Sequence, residues 1–169
     1  TVCTHCAAGY IDHDVDPATP CDSTDVHLCP TGSYAAAGSV ECEQCLAGFA
    51  DLDSDPATAC GACSPGHFAE LSATSCEPCA EGSADLDSDA SSPCESCAVG
   101  EYAAQASTEC VACHAGKVDD DESPSTPCPD CIVGQADLDS DAATPCTVCS
   151  NGTFAGAGSV QCESCAPGM

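Results

Sequence analysis

Positive charge is almost missing from this chain. One Lys or Arg, Lys117, stands against 28 Asp and Glu in 169 residues, for a net charge of −27. Such a surface has nothing with which to neutralise phosphates, so nucleic acid and anionic membrane faces are excluded as partners. Cations, or a basic partner, suit it. Trp is absent, and there are only three Phe and three Tyr. The apolar fraction is largely Ala and Cys, which excludes a large hydrophobic core. No stretch approaches the roughly 20 apolar residues of a membrane span, so this segment is expected to make no direct membrane contact. A single catalytic constellation is lacking too: no Ser, His and Asp stand together at a unique position, so neither an enzyme nor an organic cofactor is expected. The five His (His5, His13, His27, His67 and His114) lie in unrelated contexts and read as solvated side chains.

Cysteine is abundant. The chain has 20, above the roughly 8–10% that marks a disulfide scaffold. Crosslinks then offset chain entropy in place of a core. Persistent disulfides imply an oxidising compartment, hence an extracellular or cell-surface location.

The cysteines mark an internal repeat. Ten times the chain reads Cys, two residues, Gly, at Gly9, Gly32, Gly48, Gly66, Gly82, Gly100, Gly116, Gly134, Gly152 and Gly168. A tight turn after each opening Cys is the simplest reading. An aromatic often follows (Tyr10, Tyr34, Phe49, Phe68, Tyr102, Phe154) and reads as a local packing residue. Acidic loops with 14 residues between their cysteines run 6–21, 45–60, 79–94, 113–128 and 131–146. Short Ala/Ser-rich loops with 12 run 29–42, 63–76, 97–110 and 149–162. The two kinds alternate until two acidic loops follow one another at 113 and 131. Two residues join adjacent loops, except for a seven-residue insert, Asp22 to Leu28. With linkers attached, the segments are 6–28 (acidic plus insert), 29–44, 45–62, 63–78, 79–96, 97–112, 113–130, 131–148 and 149–164. Residues 1–5 read as the end of a preceding loop and 165–169 as the start of a following one, as in a piece of a longer array. The predicted fold is a small disulfide-rich repeat array: an elongated rod of short β-hairpins and turns, with little helix, no central core and nearest-neighbour contacts only.

Nine C-x-x-C pairs invite a zinc reading, but no His recurs as a fourth ligand. A thioredoxin-like site needs one reactive pair on an α/β fold, not nine equivalent ones. Two disulfide schemes remain open. Each loop can close on itself: Cys6–Cys21, Cys29–Cys42, Cys45–Cys60, Cys63–Cys76, Cys79–Cys94, Cys97–Cys110, Cys113–Cys128, Cys131–Cys146 and Cys149–Cys162. Alternatively, neighbouring pairs interlock, as Cys42–Cys60 with Cys45–Cys63. The doubled acidic loop and the insert favour self-closure, which leaves Cys3 and Cys165 over.

The pattern Cys-x-x-Gly-x-Tyr followed by Cys-x-x-Cys resembles the cysteine-rich repeats named after ephrin receptors. It is also similar to the first submodule of tumour necrosis factor receptor cysteine-rich domains. Cys29, Gly32, Tyr34 and Cys42 carry the match, as do Cys97, Gly100, Tyr102 and Cys110. In the receptor family that submodule closes on itself, so the resemblance implies the self-closed pairing. The acidic loops depart from the family pattern and resemble repeats in large surface proteins of algae and other protists.

Those acidic loops carry Asp six and eight residues past the opening Cys, and usually ten. The triplets are Asp12, Asp14, Asp16; Asp51, Asp53, Asp55; Asp85, Asp87, Asp89; and Asp137, Asp139, Asp141, whereas the 113–128 loop has Asp119, Asp121 and then Ser123. In an extended segment the three carboxylates share one side, and hard oxygen ligands suit calcium. The spacing resembles EF-hand loops and thrombospondin type 3 repeats, without their turn Gly or distal Glu. The competing reading is a solvated acidic rim with diffuse cations. Asn151-Gly152-Thr153 is an N-glycosylation sequon, and Thr19, Thr58, Thr126 and Thr144, just before a closing Cys and mostly near Pro, suggest O-glycosylation. The expected function is an extracellular structural segment, a stalk or filament subunit whose partners are neighbouring repeats, copies of itself and glycans. The alternative is a ligand-binding receptor ectodomain.

Overall fold

A computed structural model describes residues 5–12 and 26–166. Cys3, His13, Asp14, Asp16, Thr19 and Cys21 lie outside the described residues. The architecture is a disulfide-rich repeat array, with no helix among those residues and eight two-stranded antiparallel hairpins. Eight disulfides, from Cys29–Cys42 to Cys149–Cys162, each close one loop on itself. Cys6 is also disulfide-bonded, and Cys165 is a free, exposed thiol.

Seven of the eight hairpins obey one rule. The two residues after the turn Gly pair with the two residues between the closing Cys and the next opening Cys, as Ser33↔Gln44 and Tyr34↔Glu43, or Phe49↔Ala62 and Ala50↔Gly61. The next opening Cys then donates its N–H to the Gly carbonyl, as Cys45 to Gly32 and Cys63 to Gly48, each at 2.9 Å. The two-residue linker is therefore a strand, which is why it is two residues long. The insert shows the same need: its last three residues, Val26–Leu28, supply the return strand for Tyr10–Asp12. Far from only joining two loops, the insert completes the first hairpin. In the 113–128 loop the hairpin shrinks to a single bridge, Lys117↔Asp130.

The chain divides into two compact units. One comprises Thr1–Pro78 with Asp87–Pro93, the other Cys79–Leu86 with Cys94–Met169. Neither has a central core of large side chains. Every buried apolar residue described is Ala or Cys, and Leu46, Leu52, Ile132, Val133 and Val148 are among the large hydrophobes left exposed. In the second unit Ala84, Cys97 and Ala103 cluster, with Cys110 against them. Small side chains let backbones approach, so main-chain hydrogen bonds, not buried bulk, join the loops.

That approach reaches past the adjacent loop. Gly32, at φ +77°, faces the Ser72 carbonyl two loops on, which an added Cβ would overlap; Gly116 stands in the same way against Gly158. Contacts confined to nearest neighbours, as a simple solenoid implies, are not what is found. Loops touch the next and the next but one, because Ala- and Gly-lined loops are thin enough to let them.

Candidate functional site: the sixth position of each loop

The residue six past each opening Cys ties three successive loops together. In short loops it is Ala: Ala35, Ala69, Ala103 and Ala155. In acidic loops it is Asp: Asp51, Asp85, Asp119 and Asp137 among the described loops from 45 on. All eight are buried. Where a short loop follows, the turn Gly of the loop before it donates to the sixth carbonyl, as Gly9 to Ala35, Gly48 to Ala69, Gly82 to Ala103 and Gly134 to Ala155, at 2.8–2.9 Å. Where an acidic loop follows, the same donor meets the carboxylate: Gly32 to Asp51 Oδ2 at 3.1 Å, Gly100 to Asp119 Oδ2 at 2.9 Å and Gly116 to Asp137 Oδ2 at 2.8 Å.

The sixth residue also passes a bond forward. Its N–H donates to the loop after it: Ala35 to Pro56, Asp51 to Ala73, Ala69 to Ala90, Asp85 to Ser107, Ala103 to Pro124, Asp119 to Ala142 and Asp137 to Ser159, at 2.8–3.0 Å. Asp51, Asp119 and Asp137 are thus each half backbone partner, half side-chain partner. A buried N–H without an acceptor costs about 1–3 kcal/mol, and the carboxylate supplies that acceptor.

The other two carboxylates of each triplet do something local. Asp53 accepts the Asp55 N–H at 3.0 Å and the Thr58 hydroxyl at 2.9 Å, and Asp55 accepts the Ala57 N–H at 2.9 Å. The pattern recurs at Asp139, Asp141 and Thr144, with Ser92 in place of Thr at Asp87, and at Asp121 with Thr126. The Asp55 N–H first, then the Thr58 hydroxyl, holds the Asp53 carboxyl below its usual value. Asp139 is lowered by the Asp141 N–H and Thr144. Thr126 leads at Asp121, and the Ser91 hydroxyl at Asp89. Ser54, Ser88 and Ser140, between the second and third Asp, sit at φ 56–58°. The segment therefore turns, and the three carboxylates do not share the side that an extended strand would give them.

Placed on the structure, the sequence-predicted ligands part company. Asp51, Asp85 and Asp137 are buried between loops; Asp53, Asp55, Asp87, Asp89, Asp139 and Asp141 are exposed. Asp12 lies in the first hairpin. Among the described residues, one group of three ligand atoms falls within 4.8 Å: Cys97, Glu101 and Cys110. Its two sulfurs are bonded to each other, so they hold no free thiolate for a metal. The hydroxyls of Thr58, Thr126 and Thr144 are donors within these turns, while Asn151 is exposed. Sequence reasoning noticed the sixth-position Asp but missed its partner, because the Gly that it caps lies 19 residues earlier for Asp51. It missed a second regularity as well. The ninth residue of every loop from 29 on is left-handed: Gly38, Ser54, Ser72, Ser88, Ala106, Glu122, Ser140 and Gly158. Only the two glycines signal it.

Neither a scan against protein-family models nor a search of the curated proteins yields a match for this chain. What the structure does show is a stacking rule: self-closed hairpin loops, joined to the next through the sixth residue.

Proposed function

We propose that this chain is an extracellular structural segment, part of a stalk or filament, whose purpose is to transmit mechanical continuity from loop to loop. The observation that carries this reading is the sixth-position ladder. Each loop is closed by a covalent bond and held to its successors by backbone hydrogen bonds, so within each unit load passes through many parallel contacts. Disulfide-stapled repeats suit an oxidising, extracellular setting, and no described helix is long and apolar enough to cross a membrane. The exposed Asp pairs would gather counter-cations, calcium included, because turn bonds hold one carboxylate of each, Asp53, Asp89 or Asp139, in its ionised form. Asn151, exposed on its loop, would carry glycan.

Immunogold electron microscopy of producing cells tests the reading. Antibody to this chain should decorate an extracellular filament or stalk at regular intervals; label confined to intracellular compartments overturns it. The similarity to ephrin-receptor-like and tumour necrosis factor receptor-like repeats favours, as a second reading, a receptor ectodomain. That reading requires label restricted to the cell membrane.

A further inference from the structure

Two equivalent grooves differ in what fills them. In the first unit, a groove of about 700 Å³ is lined by Tyr34, Glu41, Glu43, Leu46, Phe49 and Leu71, over Cys45 and Cys60. In the second unit, the corresponding residues are Tyr102, Val111, His114 and Lys117, over Cys113 and Cys128, and the space is about 110 Å³. The correspondence is positional: Tyr34 and Tyr102 are each fifth in their loops, Phe49 and Lys117 each fourth. In the second groove Lys117 lies in the wall. Its ammonium donates to Asp130 at 2.9 Å and to the Cys128 carbonyl at 3.3 Å. The fold thus accommodates a lysine there, its cation held by a carboxylate and a carbonyl.

In the first groove Ala62 stands where Asp130 does, and the acids lie instead along the edge, at Glu41 and Glu43, over an apolar floor with no cation among the lining residues. Glu41 and Glu43 are exposed at its edge, and the Tyr34 hydroxyl donates to Glu43 at 2.7 Å, which holds that carboxylate at the rim. Leu46 is 68% exposed and Leu71 58%. We propose that this groove binds a lysine- or arginine-bearing apolar segment of another protein, with the apolar part on Leu46, Phe49 and Leu71 and the cation at Glu41 and Glu43. A second copy of this chain does not fit, because its one Lys or Arg is Lys117, already bonded to Asp130. The proposal does not rest on the stalk reading; a stalk or a receptor could equally carry the groove.

The probe is a fluorescein-labelled Gly-Leu-Lys-Phe-Lys-Gly peptide, followed by anisotropy on the full chain at physiological salt. Net charge alone attracts any cationic peptide, so the decisive comparison is charge-matched. Glu41→Gln with Glu43→Gln should weaken binding about tenfold, whereas Glu95→Gln with Glu163→Gln, exposed and elsewhere, should change it less than about twofold. Leu46→Ser should also weaken it about tenfold, through the apolar half of the contact. Equal losses from the two Glu pairs would reduce the effect to polyanion attraction and overturn the proposal. So would equal binding of the peptide with norleucine for lysine, or no saturable binding at all. Unchanged hairpin amide shifts in each variant would show that the fold is intact.

Discussion

The 45–60 and 63–76 loops receive their predecessors differently. Gly32 donates to the Asp51 side chain; Gly48 donates to the Ala69 backbone. The acidic loop is two residues longer, with its cysteines 15 apart instead of 13. Its carboxylate takes the place of the sixth carbonyl as acceptor. The acceptor of the forward bond moves too: it is the eleventh residue in acidic loops (Pro56, Ala90, Pro124, Ala142) and the tenth in short ones (Ala73, Ser107, Ser159). One stacking rule therefore tolerates two loop lengths, provided the longer one has Asp at its sixth place. The doubled acidic loop obeys the same rule, through Gly116 and Asp137, so strict alternation is not required. Among the described residues, Asp137 Oδ1 is the one buried side-chain oxygen without a hydrogen-bond partner.

The sharpest way to break the comparison is at the donor. Gly32→Ala places a Cβ on the Ser72 carbonyl and forces a left-handed alanine. The backbone term alone is about 1–2 kcal/mol, and the overlap adds to it because backbone atoms cannot step aside. Gly134→Ala meets open space at φ +87° and should lose only the backbone term. Guanidinium unfolding with disulfides intact measures the difference. Equal losses at the two glycines would show that the approach of loops two apart does not matter.

Next is the acceptor. Asp51→Ala strands the Gly32 N–H and should destabilise by about 1–3 kcal/mol, while Asp51→Asn keeps an acceptor oxygen and should lose less. Hydrogen exchange at the Gly32 amide reads the effect directly: it should speed up in Asp51→Ala, whereas the Gly48 amide, bonded to a backbone carbonyl, should not change. Protection of Gly32 retained in Asp51→Ala would remove the side-chain acceptor from the stacking rule.

A smaller effect separates the turn carboxylates from the buried ones. Asp53, Asp89, Asp121 and Asp139 titrate below their ordinary value. A carboxylate depressed in the folded state adds stability above its unfolded value, near 3.9, and loses it as pH falls through the folded value. The turns should therefore be indifferent to pH above about 5 and loosen in acid below about 4. Amide shifts of Asp55 and Asp141 in an acid titration check this. Thr58→Val should raise the pH at which the Asp55 amide moves, since the Thr58 hydroxyl no longer favours the ionised form. No change on that substitution would leave the recurrent Thr without a turn role and return it to glycosylation alone.

Local features of this fold were legible in the sequence, and bonds between loops were not. The Cys-x-x-Gly turn, the short hairpins and the absence of bulk for a core follow from residue types in contiguous stretches, and all are present. The acidic Asp repeat was equally visible, but its spacing alone reads as a ligand set. Only the path of the preceding loop reveals that Asp51 caps Gly32. Thr58 was visible as well, and its hydroxyl is bonded to Asp53 five residues back, a short distance that turn geometry alone makes meaningful. Self-closure could be favoured over interlocking because two successive acidic loops break a strict interlocked module, and eight described loops do close on themselves.

The ninth position supplies the last and smallest test, and it is stabilising. Ala106 is left-handed at φ +60°, where the short loops 29–42 and 149–162 have Gly38 and Gly158. Its N–H donates to the Cys79 carbonyl at 2.9 Å, as the Gly38 N–H does to Cys6 and the Gly158 N–H to Cys131, so stacking holds the strained conformation in place. Relief of a left-handed Ala is worth about 1–2 kcal/mol. Against it stands the extra freedom of Gly in the unfolded chain, about 0.4–1 kcal/mol. The disulfide Cys97–Cys110 encloses this position and restricts the unfolded loop, so the entropic loss falls at the low end of that range. Ala106→Gly should therefore raise stability by about 0.5–1.5 kcal/mol, read as a higher guanidinium midpoint at unchanged slope. A neutral result would mean that the unfolded-state freedom of Gly offsets the relief in full, and that the left-handed Ala stores no net strain in the folded loop.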